Sequence, residues 1–141
     1  MLRKGLTLTA AVFMAGLLFI SSAQAAVNFQ KYDDALSEAG KQDKHVMIYF
    51  WADWCRYCSM FNEEVLPNDN VVKSLNDSFL SVQVNVDEDP DLAKKYNART
   101  LPMIVFLDAK GEIAGYLPGY LPPTEFLEIL NFVKNKSYQN N

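Results

Sequence analysis

The chain has 141 residues, half of them hydrophobic, 13% aromatic and 21% charged, which suits one globular domain with a real core and excludes a disordered or fibrous polymer. Of its 13 basic residues, Arg3 and Lys4 fall in a leader segment, and the remaining 11 stand against 17 acidic ones. So acidic a body, near −6, disfavours nucleic acid and anionic lipid as partners.

Arg3 and Lys4 form a positive n-region, and Leu6 to Ile20 form a mostly apolar stretch. Ser21-Ser22-Ala23-Gln24-Ala25 follows, with Ala23 and Ala25 spaced as in an A-x-A cleavage site. The apolar stretch is short for a membrane span, so the expectation is an export signal over 1–25, cleaved after Ala25, with an uncleaved anchor as the alternative. The mature domain is expected to run over 26–137 and to end in a polar tail, 138–141. A bacterial periplasm fits best as its location, with the endoplasmic reticulum as the other oxidising possibility.

Behind Asn28, a candidate N-cap, Phe29, Tyr32, Leu36 and Ala39 recur at helical spacing, and Gly40 with the polar run Lys41–Lys44 closes that helix. Val46 to Trp51 is a continuous apolar run of strand length, suited to burial on both faces. It leads through Cys55 and Cys58 into a helix expected to last until about Leu66, where Pro67 ends it. Asn68 or Asp69 caps a further helix carrying Val71, Val72 and Leu75. Phe79 to Val86 alternates apolar and polar, which predicts a half-buried strand at a sheet edge. Asp89 as N-cap and Pro90 as first helical residue open a short helix. Met103–Leu107 and Glu112–Leu117 flank the turn Asp108–Gly111 as two strands, and Phe126, Leu127, Leu130 and Val133 stripe a last helix. A strand–helix–strand unit followed by a hairpin implies an α/β fold in three layers, a mixed sheet with helices on both faces.

Chemistry concentrates in Cys55-Arg56-Tyr57-Cys58, where a buried strand turns into a helix. At i and i+3 the two sulfurs share a helical face and can bridge. Cys55 is expected at the helix N-terminus, where unpaired N–H groups and the dipole favour a thiolate, and the Arg56 charge acts in the same direction. That makes Cys55 the expected nucleophile and Cys58, one turn in, the residue that resolves a mixed disulfide. The alternative of a purely structural disulfide is weak, because closing four residues constrains the unfolded chain by only about 2 kcal/mol. A c-type haem site needs His after the second Cys, where Ser59 stands. Zinc needs four ligands, and the sole His is His45. Neither a cofactor nor a metal is therefore expected; cuprous ion on two thiolates is the remaining metal alternative.

Trp51-Ala52-Asp53-Trp54-Cys55-Arg56-Tyr57-Cys58 resembles the WAxWCxxC active site of the thioredoxin superfamily. Val86–Pro90, Lys95–Pro102 and Gly111-Glu112 fall at matching positions, so the similarity covers roughly Phe29 to Val133. With Val65–Asp69 behind it, the motif is most similar to exported relatives, among them the C-terminal domain of the electron transporter DsbD. The resemblance implies a thioredoxin fold, a cis Pro102 facing the disulfide, and a substrate groove rimmed by Trp54, Arg56, Tyr57, Leu101, Pro102 and Gly119. A substrate peptide would pair with the Leu101 backbone in strand-like fashion. Tyr120 is either part of that rim or plain surface. Two departures stand out. Many thioredoxins carry a buried Asp two residues before the Trp51 position and a Lys on the next strand, where this chain has Tyr49 and Gln83; Asn62 likewise replaces a second carboxylate of the DsbD domain. Residues 26–28 are also too few for a full first strand, which predicts four strands and at most a vestigial fifth.

The functional expectation is a periplasmic thiol–disulfide oxidoreductase that reduces protein disulfides and draws electrons from a membrane-linked donor. The alternatives are an oxidant or isomerase, or a non-enzymatic binding module for cuprous ion or a protein partner. No dimerisation segment is visible, so a monomer is expected.

Overall fold

The computed structural model describes residues 25–140. The export signal expected over 1–25 lies, apart from Ala25, outside the described residues. Helix α1 (Tyr32–Gln42) leads into strand β1 (His45–Trp51), and α2 (Arg56–Met60) continues as a π-helical stretch over Phe61–Val65. Helix α3 (Asp69–Ser78), strand β2 (Phe79–Asn85) and helix α4 (Pro90–Lys95) follow. Strands β3 (Met103–Leu107) and β4 (Ile113–Pro118), helix α5 (Pro123–Lys134) and a 3₁₀ turn, Ser137–Asn140, complete the order. The sheet has four strands in the order β2-β1-β3-β4, with β1 parallel to β2 and antiparallel to β3, and β4 antiparallel to β3. This is the mixed, three-layered α/β architecture expected from the element order.

Strand β1 is central, and its period of two feeds two cores. Val46, Ile48 and Phe50 pack with Ala35 and Ala39 of α1 and Ala93 of α4. Met47 and Tyr49 face the other way, onto Phe61, Val71, Leu75, Phe126 and Leu130. Because both faces are covered, the run reads as continuous apolar sequence rather than alternation.

Several boundaries differ from the sequence reading, each for a local reason. Helix α1 starts at Tyr32 behind Lys31, whose side chain makes no cap; Asn28 is not its cap. The Asn28 N–H instead donates to Asn76 Oδ1 at 2.9 Å, and Phe29 forms a single parallel bridge to Ser81. Phe29 is thus a one-residue strand remnant on the β2 edge, all that stands for the vestigial fifth strand. Helix α1 ends within the polar run Lys41–Lys44 as expected, at Gln42, and closes on Asp43 in the left-handed region (φ 48°), with Gly40 inside its last turn. Strand β2 is an edge strand, yet of its seven residues only Gln83 is exposed; Ser81 carries the Phe29 bridge, and Asn85 is engaged by Asp53 and Asp87 of the neighbouring loops. The polar tail begins with a residue that belongs to the fold, since the Tyr138 hydroxyl lies 2.7 Å from His45 Nε2 and its ring stands edge-on to the imidazole.

Asn68, not Asp69, caps α3: its Oδ1 accepts from the N–H groups of Asn70 (3.1 Å) and Val71 (3.3 Å). Asn68→Ala is expected to lower unfolding stability by about 1 kcal/mol, seen as a lower urea midpoint at unchanged slope. Asp89 caps α4 as expected, accepting from Leu92 N–H, with Pro90 at the first turn.

Candidate active site

The cysteine pair sits where β1 leaves the sheet. After Trp51 the chain turns at Ala52–Trp54, the Cys55 N–H bonding the Ala52 carbonyl at 3.1 Å, and α2 begins at Arg56. Cys55 is the N-cap: its backbone is extended, its carbonyl accepts from Ser59 and its Sγ accepts from the Cys58 N–H at 3.2 Å. An N–H aimed at sulfur at the head of a helix favours negative charge there. Cys55 and Cys58 are joined in a disulfide with Cα atoms 5.2 Å apart. Their burial is unequal, Cys55 being 6% exposed and Cys58 1%.

Ala52 and both cysteines form a small cluster against which Trp51, Val86 and Leu101 pack. The Leu101–Pro102 segment, joined by a cis peptide bond, is thereby brought beside the disulfide from the start of β3. Gly119, at the end of β4, donates its N–H to the Pro102 carbonyl at 2.7 Å. Its φ is +87°, while a Cβ there would meet nothing within 4 Å, so glycine is required for backbone conformation and not for room. Trp54 and Tyr57 stand out from this surface, 70% and 58% exposed, and Arg56 is exposed as well. All eight residues singled out from the sequence therefore lie on the elements that border the disulfide.

Other members of this surface were not singled out. The Trp54 indole N–H donates to Asp87 Oδ2 at 2.9 Å. Asn85 receives the Asp87 N–H on Oδ1 (3.0 Å) and reaches Asp53 Oδ2 with its Nδ2 (3.4 Å). Asn85 is thus a buried clasp between the β1–α2 and β2–α4 loops, and it holds the residue that orients Trp54. The only available signal was its place on the polar face of β2, which also fits a solvated strand. Tyr120 is half-buried and donates to Glu64 Oε2 at 2.5 Å, tying the loop after Gly119 to the π-helical stretch. That bond holds the proton on the phenol and raises its pKa.

Tyr49 occupies the position where many thioredoxins have a buried Asp. It is fully buried, and burial pushes its phenol well above the usual tyrosine range. Its register partner on β2 is Gln83, which is exposed. His45 is at the opposite end of β1 from the cysteines, buried and engaged with Tyr138. Burial pushes its pKa down, with the Lys136 charge adding to the effect. Among the described residues no three His, Cys, Asp or Glu side chains are grouped so as to hold a metal ion, and no helix is long and apolar enough to cross a membrane.

Comparison with known proteins agrees with this geometry. Residues 32–134 match the model of a thioredoxin-like domain. The thiol:disulfide interchange protein DsbD of Yersinia pestis (strain Pestoides F) is 32% identical over 112 residues, 76% of this chain but only 18% of that protein. The chain thus spans about a fifth of the length of this curated relative. A thioredoxin from Thermus thermophilus, solved in solution, superposes with a TM-score of 0.69 at 34% identity, covering 77% of this chain and 87% of the other. The DsbH oxidoreductase superposes at 0.68 over 81% of this chain and 86% of its own, with a 19% identity that speaks for the fold alone. A four-stranded mixed sheet, a CxxC pair at the head of α2 and a family match across nearly all the described residues lead to one assignment: the chain belongs to the thioredoxin-like family.

Proposed function

We propose that this protein is a thiol–disulfide oxidoreductase that reduces protein disulfides outside the cytoplasm. The observation that carries the reading is the Cys55–Cys58 pair itself: the less buried sulfur caps a helix and receives an N–H, while its partner lies one turn deeper. In the reduced protein the Cys55 thiolate attacks a substrate disulfide sulfur, and the other substrate sulfur leaves as a thiolate. Cys58, having lost its proton, then attacks Cys55 Sγ, the mixed disulfide breaks, and the substrate's second sulfur departs. Two electrons pass from the pair to the substrate, and two protons end on the substrate thiols. Trp54, Arg56, Tyr57, Leu101, Pro102 and Gly119 form the groove that receives the substrate strand.

The disulfide must be reopened by an electron donor. The similarity to a stretch of the thiol:disulfide interchange protein DsbD, together with the export signal read in residues 1–25, supports a partner at the membrane and a periplasmic setting. Direction is the testable part. Equilibration of the pair with dithiothreitol or glutathione buffers is expected to give a potential of about −250 mV or lower, as for a thioredoxin. A value near about −120 mV, that of a strong oxidant, would overturn the reducing assignment and make the protein a disulfide donor.

A further inference from the structure

Beneath the cysteine pair lies a polar contact that the exchange chemistry has not used. The Tyr49 hydroxyl, buried in the core below α2, donates to Asn62 Oδ1 at 2.9 Å and reaches the Cys58 carbonyl at 3.4 Å, the longer and weaker arm. Its ring lies 5.0 Å from that of Phe61. One hydroxyl from the central strand thus meets both the turn carrying Cys58 and the π-helical stretch that follows it. A buried hydroxyl is costly to leave unpaired, so the bond to Asn62 fixes where this stretch sits on β1.

We propose that Tyr49, with Asn62, is a positioning residue for Cys58: the pair anchors the Cys58 turn to β1 and sets the reach between the two sulfurs. The inference rests on thiol–disulfide exchange at Cys55 and Cys58 but not on its direction. Tyr49 touches neither substrate nor reacting sulfur. It acts by pre-organisation, since holding Cys58 where it can reach Cys55 raises the effective concentration of one thiol at the other. An anchored pair closes its disulfide more readily than a loose one, which favours the oxidised state of the protein. Both members of the anchor are neutral, so the grip carries no carboxylate beneath the thiols.

The test is a double-mutant cycle on the redox equilibrium with dithiothreitol at fixed pH. Tyr49→Phe removes the hydroxyl and keeps the ring against Phe61. Asn62→Ala, on the exposed side of the contact, removes the main acceptor and carries the test should Tyr49→Phe fail to fold. Each is expected to lower the equilibrium constant for disulfide closure three- to tenfold, tenfold being about 30 mV toward a weaker reductant. The double variant is expected to shift no further than either single one. Asn62→Asp, which keeps an acceptor for the hydroxyl, is expected to restore closure to within about twofold of wild type once the change in thiol ionisation is measured by thiolate absorbance and corrected for. Wild-type protein that equilibrates normally while the single variants stay within twofold of it would overturn the positioning role. So would shifts that add in the double variant. A wild-type pair that does not exchange at all would instead sink the oxidoreductase assignment.

Discussion

Cys55→Ser is expected to abolish disulfide reduction, a loss on the order of a thousandfold or more in an insulin-reduction assay. A serine hydroxyl at that site forms no thiolate under working conditions. Cys58 cannot take over, because at 1% exposure it is screened by the cluster that holds it, whereas Cys55 stands at the head of α2. Cys58→Ser is expected to fail differently. Its Cys55 can still attack, but nothing remains to displace the substrate, so a mixed disulfide accumulates and appears as a band on a non-reducing gel that reductant removes. The two variants therefore separate the roles. If Cys55→Ser formed the adduct and Cys58→Ser did not, the assignment of attacking and resolving cysteine would be inverted.

Phe61→Ala is expected to be the most damaging single change to stability among the core residues near the site, at about 3–5 kcal/mol. Phe61 is completely buried, packs edge-on to Phe126 at a centroid distance of 5.2 Å and leans on Tyr49 at 5.0 Å. It thus joins the helix bearing the cysteines, the central strand and the last helix. Against a typical total of about 5–15 kcal/mol, such a loss takes the folded state close to its limit. Urea unfolding measures it directly. Phe132→Ala on α5, where the ring is 42% exposed, is the control and should cost well under half as much. A comparable loss in both would mean that Phe61 holds nothing special together.

Much of the fold was legible from the chain because its strongest signals are local. The β1 run, the Cys55–Cys58 spacing, the Asp89-Pro90 start and the apolar stripe of α5 each follow from neighbours in sequence, and each is found where expected. What could not be read depends on residues far apart along the chain. The helical spacing of Phe29 with Tyr32 and Leu36 suggested one continuous helix. Ser81, 52 positions later, captures Phe29 as a strand instead. Asn85 read as solvated until the loop carrying Asp53 closed over it. Tyr138 read as tail until His45, 93 residues earlier, offered it a partner. The site shows the same division: its cysteines are evident from spacing, whereas the bonds of Tyr49 and Asn85 emerge only when separate elements meet. The change from α to π winding at Phe61 likewise has no signature in residue type.

The strand remnant at the start of the domain has a consequence for how the protein assembles. Ala26 and Asn28 are both held by the side chain of Asn76, and Phe29 and Gln30 by the backbone of Ser81. These partners lie about 50 residues further along the chain. The first described segment can therefore dock only once α3 and β2 have formed. Until then the outer side of β2 is an open edge, the kind of surface on which chains stick to one another. A tag or fusion placed directly before Ala26 would act on this docking step, and its expected cost is a lower yield of soluble protein, with the chemistry at the cysteines intact.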